Sequence, residues 1–486
     1  MIRSISRHSR PSSCRLAFIR GLLRLACLLL CFNVGNSHAT PPEVERLSAL
    51  ASGGDPVALD ALIGLVRKEK DADAEFALAM LIYEGRGLVR NLDQAFRLME
   101  RAAGRGHAAA GNMLGFFYQY GIGVAADSAK ALAWYEKAAE SGDARAQTNL
   151  GWFHERGIGL SADPAIAAIW YRKAAEQGLA AAQFNLANLY ESGSGLRRDP
   201  AIAIELFKTA LSGGLTAAAF RLGRLLEEQG NLAEAAEQYV RAARALNPDA
   251  PFLAARLLLA PGNPRRDPVQ GVYWLERVSE RDQLAALLQL AEVYENGGDL
   301  VRDAAKSADA LRRAGALGHT VSAFRYAQYL QANALPDPLP WYRRAAEKGH
   351  NEAQFRLALL LDARGKDEKS RAEAVKWFRS AAEGGNLKAA LRLGMALESG
   401  RGVAASPREA IIWYAKAAAA DDPEATYRLG VLYDRGEGST EDFRRARDYF
   451  ARAASLGHAG ASAVLKRMVG APVLDGILDD RFKGLR

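Results

Sequence analysis

Leucine, or a residue standing in for it, recurs along this chain at a spacing of 36 residues: Leu78, Leu114, Leu150, Leu186 and Leu222, then Ala254, Leu290 and Tyr326, then Leu357, Leu393 and Leu429. Two intervals depart from the period, 222 to 254 at 32 residues and 326 to 357 at 31. A fixed period of this length implies a structural unit that buries its apolar face only against its neighbours. Such an array can reach 486 residues without one very large core.

Each unit carries two helix starts. Seven residues before the register leucine the chain places Asp71, His107, Asp143, Asn247, Gln283, His319, His350, Asn386, Asp422 and His458, with Pro248 and Pro423 following two of them. Thirteen residues after it come Asn91, Asp127, Asp163, Asp199, Asp267, Asp303, Ser406 and Asp442, four of them followed by Pro164, Pro200, Pro268 and Pro407. A side-chain acceptor and then proline is how a helix begins. Between the two starts lie the glycine pairs Gly85/Gly87, Gly121/Gly123, Gly157/Gly159, Gly193/Gly195, Gly400/Gly402 and Gly436/Gly438, suited to the left-handed residue that ends a helix. A phosphate cradle would need a preceding strand and a third glycine, and neither is present.

The second helix carries an aromatic pair, as in Trp134-Tyr135, Trp170-Tyr171, Trp341-Tyr342, Trp377-Phe378, Trp413-Tyr414 and Tyr449-Phe450. Alanine pairs such as Ala138-Ala139 and Ala174-Ala175 follow one turn later. Large residues against small ones let helices approach closely. An aromatic cage for a ligand is the alternative, and strict recurrence favours packing. The expected fold is therefore all-α: a right-handed superhelical solenoid of stacked helix-turn-helix repeats, irregular near 222–254 and 326–357, where the pitch should change.

The run Ala-x-x-x-Leu-Gly, Gly-x-Gly, Asp-Pro and Trp-Tyr-x-Lys-Ala-Ala-Glu resembles the Sel-1-like repeat, a longer relative of the tetratricopeptide repeat. Eleven copies and a capping helix cover 71–469, best at 108–214 and 351–458. The copy around Leu222 lacks the glycine pair and reads as a plain tetratricopeptide hairpin, while the copy starting near His319 replaces its turn with Pro336-Asp337-Pro338-Leu339-Pro340. The resemblance implies a scaffold for proteins or peptides, in some members in the cell envelope. A cysteine-rich branch is linked to β-lactam binding, but its paired cysteines are missing here.

The ends depart from the repeat. Residues 40–70 read as degenerate N-terminal capping helices, with Asp55-Pro56 as a helix start, and 470–486 form a C-terminal tail. Residues 1–39 hold six arginines, all three cysteines and no Asp, Glu or Lys. A basic stretch, the apolar run Leu25 to Phe32 and the small-residue site Ser37-His38-Ala39 read as a cleaved signal peptide. Arg20 and Arg24 leave too short an uncharged run for a spanning anchor, which needs about 20 residues. Taking those six arginines from the formal +8 leaves a mature chain near +2 without cysteine. The expected location is export, to the periplasm of a Gram-negative bacterium, with the mature chain not membrane-spanning. A near-neutral exported chain is a poor partner for nucleic acid.

The search for chemistry returns structure. Four of the five histidines beyond the leader share the helix-start position; His154-Glu155 opens like a metalloprotease helix, but Ile158 occupies the place of the second histidine. No Ser-x-x-Lys follows residue 39. The chain is expected not to be an enzyme and to need no cofactor or metal; an enzymatic reading would require a cluster converging across repeats.

What varies is the surface of the first helices, expected to line a concave face. Positions −1, +2 and +6 from the register leucine share one stripe. It carries Met113, Phe116 and Tyr120, then Asn149, Trp152 and Arg156, then Asn185, Asn188 and Ser192. Exposed aromatics beside asparagines suit a peptide or a sugar, unless neighbouring helices bury them. Later copies place Arg221, Arg325, Arg356, Arg392 and Arg428 at −1, with Arg224 and Arg256 at +2. This ladder either meets an acidic partner or pairs with glutamates on adjacent helices. The expected partner is a protein or peptide on the concave face, with an anionic polysaccharide as the alternative.

Overall fold

Helix starts fall where the acceptors predict them. In the computed structural model, which describes residues 42–281, 283–297, 300–365, 367–436 and 440–469, the Asp71 carboxylate accepts the Ala74 N–H at 2.9 Å and Asp143 accepts that of Ala146 at 2.7 Å. The second helices begin alike, Asp163 accepting from Ala165 and Ile166 at 2.9 and 3.1 Å. Histidine does the same work: Nδ1 of His107, His319, His350 and His458 accepts the N–H three residues on, at 3.0 to 3.2 Å. The export segment at 1–39 and the tail at 470–486 lie outside the described residues.

The described residues form 25 α-helices, and the chain divides into two units. The first unit, up to Asp267, opens with α1 (Pro42–Ser52) and α2 (Pro56–Gly64), the latter continuing into a π-helical turn, Leu65–Glu69. Five hairpins follow: α3 (Ala72–Glu84) with α4 (Leu92–Gly104), α5 (Ala108–Tyr120) with α6 (Ser128–Glu140), α7 (Ala144–Arg156) with α8 (Pro164–Glu176), α9 (Ala180–Ser192) with α10 (Pro200–Ser212), and α11 (Ala217–Glu228) with α12 (Leu232–Arg244). Helix α13 (Ala250–Leu259) ends it.

The second unit, from Pro268, opens with α14 (Pro268–Ser279). Its hairpins are α15 (Leu284–Asn296) with α16 (Ala304–Ala316), α17 (Thr320–Ala332) with α18 (Leu339–Glu347), α19 (Asn351–Arg364) with α20 (Glu368–Glu383), α21 (Leu387–Ser399) with α22 (Pro407–Ala418), and α23 (Pro423–Asp434) with α24 (Thr440–Ser455). Helix α25 (Ala459–Val469) follows.

The register leucines are the core. Leu114, Leu357 and Leu393 are fully buried, as is Ala254 in its copy; Tyr326 alone is half-buried, its ring edge-on to Trp341 at 4.9 Å. Opposite them the second helices bury Tyr135, Tyr171, Tyr239, Tyr342 and Tyr414. The glycine after the register leucine makes room for that ring: a Cβ on Gly151 would lie 2.8 Å from Tyr171. The second turn glycine is constrained twice. Gly123 has φ +64°, and a Cβ there would come within 2.3 Å of the Leu92 carbonyl oxygen at the head of the previous hairpin's second helix.

Three expected details shift. Leu179 and Gln283 sit at N-caps, but Gln283, one of the expected capping side chains, makes no cap bond. Helix α24 starts at Thr440, placing Asp442 inside its first turn; Phe443, not proline, follows, so nothing blocks the earlier start. Gly436 keeps no left-handed φ because α23 ends at Arg435 in the right-handed region; Gly438 lies outside the described residues.

Candidate functional site

Four successive hairpins of the first unit place their first helices side by side, and a recess of about 330 Å³ opens on the face they share. Helix α5 supplies Phe116, Gln119 and Tyr120; α7 supplies Arg145, Thr148, Asn149 and Trp152; α9 supplies Ala181, Phe184 and Asn185. Leu179 ahead of α9, and Leu215 and Ala217 at the entrance to α11, complete the wall.

Five of the stripe residues meet in this recess: Phe116, Tyr120, Asn149, Trp152 and Asn185. They are not uniformly exposed. Phe116 is only 7 % exposed and Met113 is buried beside it, so the expectation of an exposed Phe116 is corrected. Tyr120 at the end of α5 is 40 % exposed, its ring centroid 4.7 Å from that of Phe116. Trp152 is half-buried and packs on the adjoining core. The end of a helix leaves its last turn less covered than its middle, which separates Tyr120 from Phe116.

The amides are partly engaged. Asn149 donates through Nδ2 to Asn112 Oδ1 at 2.8 Å, joining α5 to α7. The Thr148 hydroxyl donates to the Ala144 carbonyl and the Tyr135 hydroxyl to Gln119, at 2.8 and 2.7 Å. Arg156, exposed, and Asn188, half-buried, lie outside the recess, and Asn188 Oδ1 is buried without a hydrogen bond. Phe184, Leu179 and Leu215 were not singled out from the sequence; they sit off the −1, +2, +6 stripe and reach the recess because each repeat is displaced from the last.

In both units, tyrosine hydroxyls of the second helices meet an acceptor five residues past the register leucine. Tyr171 donates to Glu155 at 2.7 Å, Tyr239 to Glu227 at 2.9 Å, and Tyr414 to Glu398 at 2.8 Å. Burial, then the adjacent carboxylate, pushes all three phenols well above the ordinary tyrosine range.

The arginine ladder is largely neutralised by the same acidic positions. Arg221 pairs with Glu191 at 3.5 Å, Arg256 with Glu227, and Arg325 with Glu295. Arg428 pairs with Glu398 at 3.0 Å and Glu424 at 2.6 Å, Arg356 with Glu352 at 2.7 Å, and Arg224 with Glu228 at 3.6 Å. Arg392 is exposed and makes no ion pair among the described residues; Asp362, thirty residues earlier, is taken by Arg401 at 3.0 Å. The second-helix tryptophans are likewise engaged within their own helices, Lys173 lying 4.1 Å over Trp170 and Lys416 3.9 Å over Trp413.

Ten segments of the chain match the Sel1 repeat: 72–107, 108–143, 144–179, 180–215, 252–282, 284–319, 341–350, 351–386, 387–422 and 423–458. The chain belongs to the Sel1 repeat family. No segment matches between 215 and 252, where the hairpin without the glycine pair lies, α11 with α12. The chain is similar to a protective antigen of uropathogenic Escherichia coli with an SLR fold, at 28 % identity over 88 % of this chain and 90 % of that one, with a TM-score of 0.50. It is also similar to a Sel1 repeat protein from Oxalobacter formigenes, at 29 % identity over 49 % of this chain and 96 % of that one, TM-score 0.39. No curated protein matches it. Among the described residues, no helix of this Sel1-repeat scaffold is long and apolar enough to cross a membrane, and no group of three His, Cys, Asp or Glu could hold a metal ion.

Proposed function

We propose that this Sel1-repeat protein is an exported, non-catalytic scaffold that holds a segment of a partner protein in the recess of its first unit. The observation that carries the reading is the convergence of Tyr120, Trp152, Asn149 and Asn185, from three successive first helices, on one open cavity. Amphipathic aromatics with adaptable amides are the composition of protein-binding surfaces. The leader-like stretch 1–39, basic and then apolar and ending at Ala39, supports export to the periplasm. The anionic-polysaccharide reading draws less support, because six of the seven ladder arginines are already paired with carboxylates.

A photo-crosslinking amino acid placed at exposed Ala217, on the rim, tests the site in cells. Adducts are expected from Ala217 and not from exposed Ile169 on a second helix, and Ala181→Trp, which fills the recess, should remove them. Equal adducts from both positions, untouched by Ala181→Trp, overturn the assignment. Mass spectrometry of the purified protein tests export separately: a mature N-terminus at Thr40 is expected, and a retained Met1 on the bulk of the protein overturns it.

A further inference from the structure

Two copies break the rule by which the others start a first helix, and both exceptions stand in the wall of the recess. Seven residues before the register leucine the chain is polar from Asp71 to His458, except at Leu179 and Leu215. Leu179 keeps the backbone of a cap, φ −72° and ψ 109° against φ −65° and ψ 114° at Asp143, but no side chain accepts from the start of α9. The Ala182 N–H bonds to the Leu179 carbonyl instead, at 3.0 Å. Helix α11 likewise begins behind Thr216 without a side-chain cap. A polar cap would stabilise each start, so each leucine is a local loss. Losses of this kind collect where function requires them, and these two fall in consecutive copies and line one cavity.

Charge and shape define what that cavity takes. No carboxylate lines it, and Arg145, the one charged side chain that does, is already engaged within the chain. A charged group buried here would lack a counter-charge. Phe116, Trp152 and Phe184, with the two leucines, offer an apolar wall on which an aromatic ring packs edge-on or offset. The recess crosses the helices obliquely, from Tyr120 at the end of α5 to Leu179 and Leu215 ahead of α9 and α11. Its volume of about 330 Å³ suits extended chain and is too small for a helix about 10 Å across. Asn149 gives an amide hydrogen to Asn112, and Gln119 takes the Tyr135 hydroxyl on its oxygen. Asn149 Oδ1 and the Gln119 amide hydrogens make no hydrogen bond among the described residues, which leaves an acceptor and a donor for a main-chain peptide group.

We propose that the recess receives an uncharged, extended peptide segment anchored by one aromatic side chain, and that Leu179 and Leu215 replace helix caps to form the wall that holds it. This rests on the reading of the recess as a docking site and adds the chemistry of the partner to it. Affinity comes from apolar burial and main-chain hydrogen bonds rather than from ion pairs.

Selection from a random heptapeptide display library on the full mature chain, followed by fluorescence anisotropy of the enriched peptides, tests the proposal. The enriched sequences should share an aromatic residue with uncharged neighbours, and their affinity should change by less than about twofold between low and high salt. Replacing the aromatic residue by alanine should weaken binding about tenfold or more. Leu179→Asn supplies the missing cap and removes the apolar wall: its melting temperature should equal or exceed that of the wild type while binding falls about tenfold. Leu179→Met should bind within about twofold of the wild type.

Enrichment of acidic or basic peptides, with affinity that falls steeply with salt, overturns the uncharged occupant and leaves docking at the recess in place. Full binding by Leu179→Asn at an undiminished melting temperature overturns the role of the leucine wall. Crosslinking from Ala217 in cells with no peptide enriched overturns the peptide chemistry alone, and failure of both overturns the docking site itself.

Discussion

Gly151 and Tyr171 show how the size of one residue fixes the place of another. The ring lies where a Cβ on Gly151 would be, 2.8 Å away, and neither can shift without disturbing the helix pair. Gly151→Ala is therefore expected to cost about 1–3 kcal/mol in urea denaturation, the cost of an overpacked core. Gly64 is the control. It is helical at φ −60° with nothing within 4 Å of a Cβ, so Gly64→Ala should be neutral or stabilise by about 0.5–1 kcal/mol. The Tyr171 phenol makes a second, independent statement. Burial and Glu155 raise it above its unfolded range, so the native state holds that proton more tightly than the unfolded state. Its contribution is full below the ordinary tyrosine range and is lost as pH rises through the raised value. Tyr171→Phe should accordingly flatten the alkaline limb of a plot of stability against pH, and an unchanged limb would contradict this.

At the scale of helices, the chain repeats its electrostatics with its period. In the second unit Arg343 of α18 pairs with Glu373 of α20, and Arg379 of α20 with Glu409 of α22, each thirty residues apart. The bond from Arg343 holds the Glu373 carboxyl below the ordinary range against the opposing effect of burial, and that from Arg379 does the same for Glu409. At Glu424 burial works upward, but His458 and Arg428 together bring the carboxyl down. Each folded pKa is lower than its unfolded counterpart, so the stabilisation is present above the ordinary glutamate range and declines as pH falls through the depressed values. Melting temperature should drop on acidification from neutral pH toward 3 or so, and Glu373→Gln with Glu409→Gln and Glu424→Gln should blunt that drop. Helix starts were legible because a capping acceptor and a proline are local signals. Glutamates on adjacent helices were an expected alternative for the ladder arginines, but the individual pairs were not named; Arg221, Arg325 and Arg428 join −1 of one copy to +5 of the one before. Position −1 was on the stripe and +5 can be counted on the same register, so Glu295 with Arg325 or Glu398 with Arg428 could have been paired from spacing alone. Asp442 carried the acceptor but lies inside the first turn of α24.

Over the whole molecule, fold and site differ in how they are encoded. A hairpin's fold depends on residues close in sequence, so Leu150, Gly151, Gly157 and Asp163 announce it. The recess depends on how four successive first helices are arranged, so the stripe found Tyr120, Asn149, Trp152 and Asn185 but not Phe184, which sits off the stripe on α9, or Leu215, which precedes α11. That dependence makes the site a reporter of stacking. In an array where each repeat contacts only its neighbours, damage to one unit weakens the adjoining ones and fades with distance. Leu150, buried in α7, the helix that supplies Arg145, Thr148, Asn149 and Trp152 to the recess, is the place to apply it. Leu150→Ala should cost about 2–5 kcal/mol as a core cavity. Amide exchange should then quicken in α5 to α9, while α1 and α12 of the same unit keep their protection. Uniform loss of protection across the first unit would mean that it unfolds as one cooperative body. Asn247→Ala, which removes the acceptor for the Asp249 and Ala250 N–H groups at the entrance to α13, should cost about 0.5–2 kcal/mol and leave the recess untouched. Measured together, the two variants separate a distant cap from the leucine on which the binding face is built: only Leu150→Ala should weaken crosslinking from Ala217, because only it disturbs the helices that line the recess.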